Sequence, residues 1–223
     1  MERFVTVSGP LARDMALRSG QEFYNDCHSP SDGKFCGGKG GTFSPGVKAY
    51  LKDQYQMSPE TAKELGLSQD GTKLLIPFKD EKGRTTGVKW RDTAVSEGLG
   101  RWGPADNHGL SLYENKAKKG PLFVVESPSE GLILAAHNHR VVFFDGADSL
   151  VSRTDVVNKK LHSRLSKIVE GNTSILIPDN DVRGEAFAKV VEPLVTKRIN
   201  PPAPYKDLRE YMIKGKGTVD QLL

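Results

Sequence analysis

From Gly120 onward, short apolar runs alternate with stretches of helical spacing, and that alternation leaves this chain few architectures. Residues 122–125, 141–144 and 174–177 read as strands: they are brief, rich in β-branched and aromatic side chains, and bounded by turn residues. Residues 129–137, 155–169 and 184–198 have the spacing of helices. Strands and helices in this order imply right-handed crossovers and a small parallel sheet covered on both faces. In open sheets of this kind ligands collect beyond the carboxyl ends of the strands. Two of the runs end in acid at that place, one in Glu126 and the other, through Pro178, in Asp179-Asn180-Asp181.

Glu126, Asp179, Asp181 and the later Asp207 form the candidate centre. Three or four carboxylates with no cysteine or histidine nearby suit a hard cation, Mg²⁺ or Mn²⁺, rather than zinc. An Asp-x-Asp after a strand also serves as a helix cap and turn, so the spacing alone admits both roles. Glu126 is a candidate for either metal ligand or general base. Glu130 reads as the start of a helix, where a carboxylate favours the dipole, or as a support for the centre.

The segment before Gly120 is organised differently. Residues 25–45 are dense in Gly, Ser, Pro and Asp and lack apolar periodicity, so residues 1–45 are expected to be irregular. Val47, Tyr50, Leu51 and Tyr55 predict a helix, and Ser58-Pro59 with Glu60 and Glu64 begins a second. Residues 74–78 and 87–91, separated by Asp80-Glu81-Lys82-Gly83, predict a β-hairpin. Residues 103–119 are polar and broken only by Leu110-Ser111-Leu112-Tyr113.

Composition excludes several classes. With 223 residues and 37% hydrophobic content the chain can pack a core, and no stretch approaches the roughly 20 apolar residues of a membrane span. Met1 is followed by Glu2 and Arg3 rather than by a signal sequence, so a cytoplasmic location is expected, with no membrane partner. Two cysteines, Cys27 and Cys36, make no disulfide framework. With His28 they offer fewer than the four ligands of a structural zinc site. The net charge of +4 permits a polyanionic partner without requiring one, although basic residues gather at 116–119 and 153–167 and near the C-terminus. No Gly-x4-Gly-Lys-Ser/Thr loop is present, so no helicase motor is expected.

Three motifs in order resemble a TOPRIM domain, the metal-binding module of bacterial-type primases, topoisomerases and several nucleases. Val124-Val125-Glu126-Ser127-Pro128 resembles its glutamate-bearing strand, with a Glu-Ser-Pro flavour nearer to type I topoisomerases. Asp179-Asn180-Asp181-Val182-Arg183-Gly184 is similar to its Asp-x-Asp-x-x-Gly segment, and Lys206-Asp207-Leu208-Arg209-Glu210-Tyr211 to the Lys-Asp segment of primase TOPRIM domains. The hairpin at 74–91 is similar to that of primase cores and of phage and mitochondrial primase-helicases.

The resemblance spans about residues 48–223 and implies an α/β fold: a small parallel-sheet TOPRIM domain at 120–223, preceded by a mixed α+β primase-type N-terminal subdomain at 46–119. It implies Glu126, Asp179, Asp181 and Asp207 as cation ligands, and Lys89, Trp90, Arg91 and Lys206 as contacts to nucleic acid or nucleotide. Trp102 is a further stacking candidate. The implied activity is synthesis of short RNA primers from ribonucleoside triphosphates on a single-stranded DNA template, with a separate replicative helicase as partner. A metal-dependent nuclease and a non-catalytic nucleic-acid-binding protein are the alternatives. A nuclease would not need the basic hairpin.

Overall fold

Alternate residues of the central strands serve opposite faces of one sheet, and the cores form accordingly. The computed structural model describes residues 42–95, 109–115, 117 and 119–223. Its larger sheet contains β4 (Leu110–Tyr113), β5 (Leu122–Val125), β6 (Arg140–Phe144), β7 (Ser174–Leu176) and β8 (Lys197–Arg198). Their order is β4-β6-β5-β7-β8, parallel throughout except for β4, which runs antiparallel to β6. Leu122, Val124, Val142, Phe144 and Leu176 point to one face, where Leu161 and Leu165 of α5 (Lys159–Val169) and Phe187 of α6 (Val182–Val191) cover them. Phe123, Val125, Val141, Phe143 and Ile175 point to the other. There they meet Ile133 and Leu134 of α3 (Pro128–Ala136) and Leu208 and Met212 of α7 (Leu208–Ile213). The short α4 (Ala147–Leu150) lies between β6 and α5.

A second sheet, β1-β2-β3, is antiparallel, with β1 at Ser68–Asp70, β2 at Lys73–Lys79 and β3 at Thr85–Asp92. It packs under α1 (Pro45–Tyr55) and α2 (Pro59–Glu64), through Leu74 and Ile76 against Val47, Leu51, Tyr55 and Ala62. Both helices start as their sequences dictate: Ser44 and Ser58 accept from the amides of Val47 and Thr61, each with proline in the first turn. The two sheets are joined where Lys79 N donates to Ser111 Oγ at 2.9 Å and Tyr113 OH donates to Pro77 O at 2.6 Å.

Several expectations need correction. The Leu110–Tyr113 run, assigned to the N-terminal subdomain at 46–119, pairs with β6 as the antiparallel edge of the larger sheet, and all four of its residues are buried. The helix expected over 184–198 ends at Val191, where Glu192-Pro193-Leu194 tightens into a 3₁₀ turn and releases the chain into β8. The helix expected from 155 begins at Lys159, capped by Asn158. Phe43, placed within the irregular first 45 residues, is buried in the core under α1. Cys27, His28, Cys36, Trp102, Lys116 and Lys118 lie outside the described residues. Among the described residues, no helix is long and apolar enough to cross a membrane.

Candidate active site

The carboxyl ends of β5, β6 and β7 lie side by side, so whatever follows these strands meets at one edge. Glu126 follows β5 and is 4% exposed. Its Oε1 accepts from the Asp179 amide at 2.8 Å, and its backbone carbonyl accepts from Gly146 N at 3.0 Å just after β6. Pro178 carries the chain from β7 to Asp179, and α6 begins three residues later. Gly184 sits in the first turn of α6 directly against the Asp179 carbonyl, so any side chain there would collide with that backbone.

Asp207 enters through a separate connection. The Asn180 amide donates to Lys206 O at 2.6 Å, and Asn180 Nδ2 donates to the carbonyls of Pro201 and Tyr205 at 2.7 and 2.8 Å. These bonds hold the 201–207 segment beside the Asp-x-Asp turn.

The charges are unfavourable without a counter-ion. Burial, reinforced by the Asp179 and Asp181 charges, pushes Glu126 up to about 8. Burial and the Asp207 charge push Asp179 up to about 6. Glu130, only 2% exposed, is raised well above the ordinary carboxylate range by burial and then by Asp179, Glu126 and Asp207. Asp181 moves the other way: burial would raise it, but the Gly184 amide and Lys206 together hold it below the usual range.

The sequence reading expected Glu126, Asp179, Asp181 and Asp207 to meet at the sheet edge and hold divalent ions. The described residues are arranged otherwise, and no group of three or more Asp, Glu, His or Cys side chains is gathered as a ready-made cation site. Two of the four carboxylates are occupied as helix caps. Asp181 Oδ1 accepts from Arg183 N and Gly184 N at 2.9 and 2.8 Å, and its Oδ2 is 3.1 Å from Lys206 Nζ. Asp207 Oδ1 accepts from Glu210 N at 2.6 Å. A cap must turn one oxygen back toward its own helix, which leaves the other for anything in the crevice.

Two carboxylate oxygens that accept from no N–H group lie elsewhere in the group. They are Asp179 Oδ1 and Glu130 Oε1, both buried. The Glu130 side chain is itself a hydrogen-bond partner of Asp179, and carboxylates packed this closely, in a set composed wholly of oxygen donors, fit a hard divalent ion. The residues that fit it are Glu126, Asp179, Glu130 and the outward oxygens of Asp181 and Asp207. Glu130, read from sequence only as a helix start or a support, is therefore part of the group.

The basic candidates divide. Lys206 stands at the acids. Lys89, with a side chain 12% exposed, forms an ion pair with Asp145 immediately after β6, at the same sheet edge. Asp145 was not anticipated, although the rule that finds Glu126, an acid closing an apolar run, applies equally to Phe143-Phe144-Asp145. Arg91 does not face outward as expected. It is 5% exposed, opposite Leu74 on the buried side of the hairpin, with its guanidinium 5.4 Å from the Tyr50 ring centre. Trp90 lies on the other side, half-buried under Lys73 Nζ at 4.3 Å.

No protein-family model and no curated protein sequence matches this chain. Solved structures do. The zinc-binding and RNA polymerase domains of the Aquifex aeolicus primase superpose with a TM-score of 0.58 at 17% identity, over 80% of this chain and 55% of that one. The catalytic core of the Escherichia coli primase gives 0.53 at 13% identity, over 78% and 71%. A DnaG primase catalytic domain bound to single-stranded DNA gives 0.55 at 13%, over 93% and 77%. This chain thus spans about half the length of that Aquifex two-domain chain. The shared architecture is an α/β domain with a mixed antiparallel and parallel organisation. It is similar to the fold of primase catalytic cores.

Proposed function

We propose that the protein is a primase-like nucleotidyltransferase that joins ribonucleoside triphosphates on single-stranded DNA with Mg²⁺ or Mn²⁺. The observation that carries this reading is the direct bond from the Asp179 amide to Glu126 Oε1, which puts the buried Glu126 and the half-buried Asp179 at one strand edge, each raising the other's charging cost. When bound, a divalent ion would acidify the attacking 3′-hydroxyl and stabilise the leaving phosphate oxygens.

The chain's own residues do the rest. Glu126 and Asp179 hold the cation, with Glu130 behind them in the buried wall. Asp181 and Asp207 present one oxygen each from capped helix starts, so their positions are set by backbone. Glu126 acts as a ligand through the oxygen that does not accept the Asp179 amide. Lys206 and Lys89, at the same edge, are placed to meet phosphate oxygens. The likeness to a DnaG catalytic domain bound to single-stranded DNA supports that template class.

The alternative is a metal-dependent nuclease with the same carboxylates activating water. Burial of Arg91 favours it to this extent: half of the basic pair that would distinguish a primase hairpin serves the core instead. Incubation of the protein with single-stranded DNA, labelled ribonucleotides and Mn²⁺ separates the two. Labelled oligoribonucleotides support the proposal, degradation of the DNA supports the nuclease, and the absence of both overturns a catalytic role.

A further inference from the structure

We infer that Lys206 is a built-in counter-ion, balancing the carboxylate group in the cation-free protein and released toward the nucleotide's phosphates once a divalent ion is held. This rests on the cation reading of the site above. The backbone of Lys206 is fixed on both sides: its amide donates to Glu210 Oε2 at 2.7 Å and its carbonyl accepts from Asn180 N at 2.6 Å. Its side chain is not fixed in that way. It is 58% exposed, and its ammonium reaches back over the Asp-x-Asp turn to Asp181 Oδ2 at 3.1 Å.

That oxygen is the one Asp181 does not commit to capping α6. A side chain anchored at its root and free along its length, resting on the outward oxygen of a proposed ligand, has two places to go. While the acids lack a cation, it lowers their repulsion. When a divalent ion takes that oxygen, the ammonium and the ion repel each other, and the lysine turns outward to solvent or to phosphate. A solvent-exposed ion pair of this type corresponds to about a fivefold effect on an equilibrium.

Two opposed effects follow, and a lysine with a merely structural role gives neither together. Mn²⁺ binding is measured by titration calorimetry, and melting is measured with and without saturating Mn²⁺, for the full chain, Lys206→Met and Lys206→Arg. The inference expects Lys206→Met to bind Mn²⁺ about fivefold more tightly and to melt lower only in the metal-free state, while Lys206→Arg stays near the original protein. Equal or weaker Mn²⁺ binding by Lys206→Met, or an equal loss of melting temperature with and without Mn²⁺, overturns the counter-ion role. Absence of Mn²⁺ binding in the unmodified protein overturns the cation reading itself, and the inference with it.

Discussion

Asp179 donates its backbone amide to Glu126 Oε1 at 2.8 Å, linking residues 53 positions apart at the ends of two adjacent parallel strands. The bond places the buried Glu126 beside the half-buried Asp179, and charging both in the folded state is costly. Replacing Glu126 with Gln keeps the shape and removes a group that, with a folded value of about 8, must take up a proton when the metal-free protein folds at pH 7. Primer synthesis should fall to background, while the metal-free protein should be more stable by about 1 to 3 kcal/mol at pH 7. Denaturant unfolding beside the extension assay checks both. A variant that loses activity and stability together would show that Glu126 holds the fold rather than the cation.

The same repulsion sets a pH dependence. Glu126 and Asp179 have folded values of about 8 and about 6, above their ordinary values of 4.5 and 3.8. Between those limits the folded state binds more protons than the unfolded one, so stability falls as pH rises. The metal-free protein should therefore melt at a higher temperature near pH 5 than near pH 8. Further acidification reverses the trend, because Asp80 and Asp181, held below their ordinary values, then lose their partners. Saturating Mg²⁺ should flatten the slope between pH 5 and 8. A slope unaffected by Mg²⁺ would separate these acids from cation binding.

Much of this was legible because a parallel sheet converts sequence position into spatial position: the residue that closes an apolar run stands at the carboxyl edge. That logic locates Glu126 and Asp179, and it applies to Asp145 as well. The two-residue strand β8 and the three-residue β1 are polar and carry no such pattern. Helix caps and metal ligands use the same residue types, so the double duty of Asp181 appears only when its two oxygens are seen to face different ways. The hairpin misled for a definite reason. By alternation, Val88 and Trp90 mark the apolar side of β3, yet Lys89 and Arg91 share the inner face with Leu74 and Ile76, because Asp145 and Tyr50 meet their cationic ends.

Arg91 therefore belongs to the core rather than to a phosphate. Arg91→Ala should destabilise the protein by about 2 kcal/mol or more, by removing the packing of its buried stem and its cation–π contact with Tyr50. The salt dependence of DNA binding should change little. Denaturant midpoints and binding titrations over a range of salt concentrations test this; a slope reduced by about one, with unchanged stability, would return Arg91 to the phosphate backbone.

Gly184 tests whether the backbone of the Asp-x-Asp turn is what places the site. A methyl group there would run into the Asp179 carbonyl, and backbone cannot yield as the end of a side chain can. Relief requires Asp179 to move, and that movement breaks its amide bond to Glu126. Gly184→Ala should cost about 1 to 3 kcal/mol of stability, as other overpacked positions do. Its effect on Mn²⁺ affinity should be larger than its effect on folding, because the displaced residue is a proposed ligand while the rest of α6 keeps its contacts with the sheet through Phe187 and Val191. Calorimetry on the folded variant, below its melting temperature, makes the comparison. Unchanged Mn²⁺ affinity in a destabilised Gly184→Ala protein would mean that Asp179 does not hold the ion.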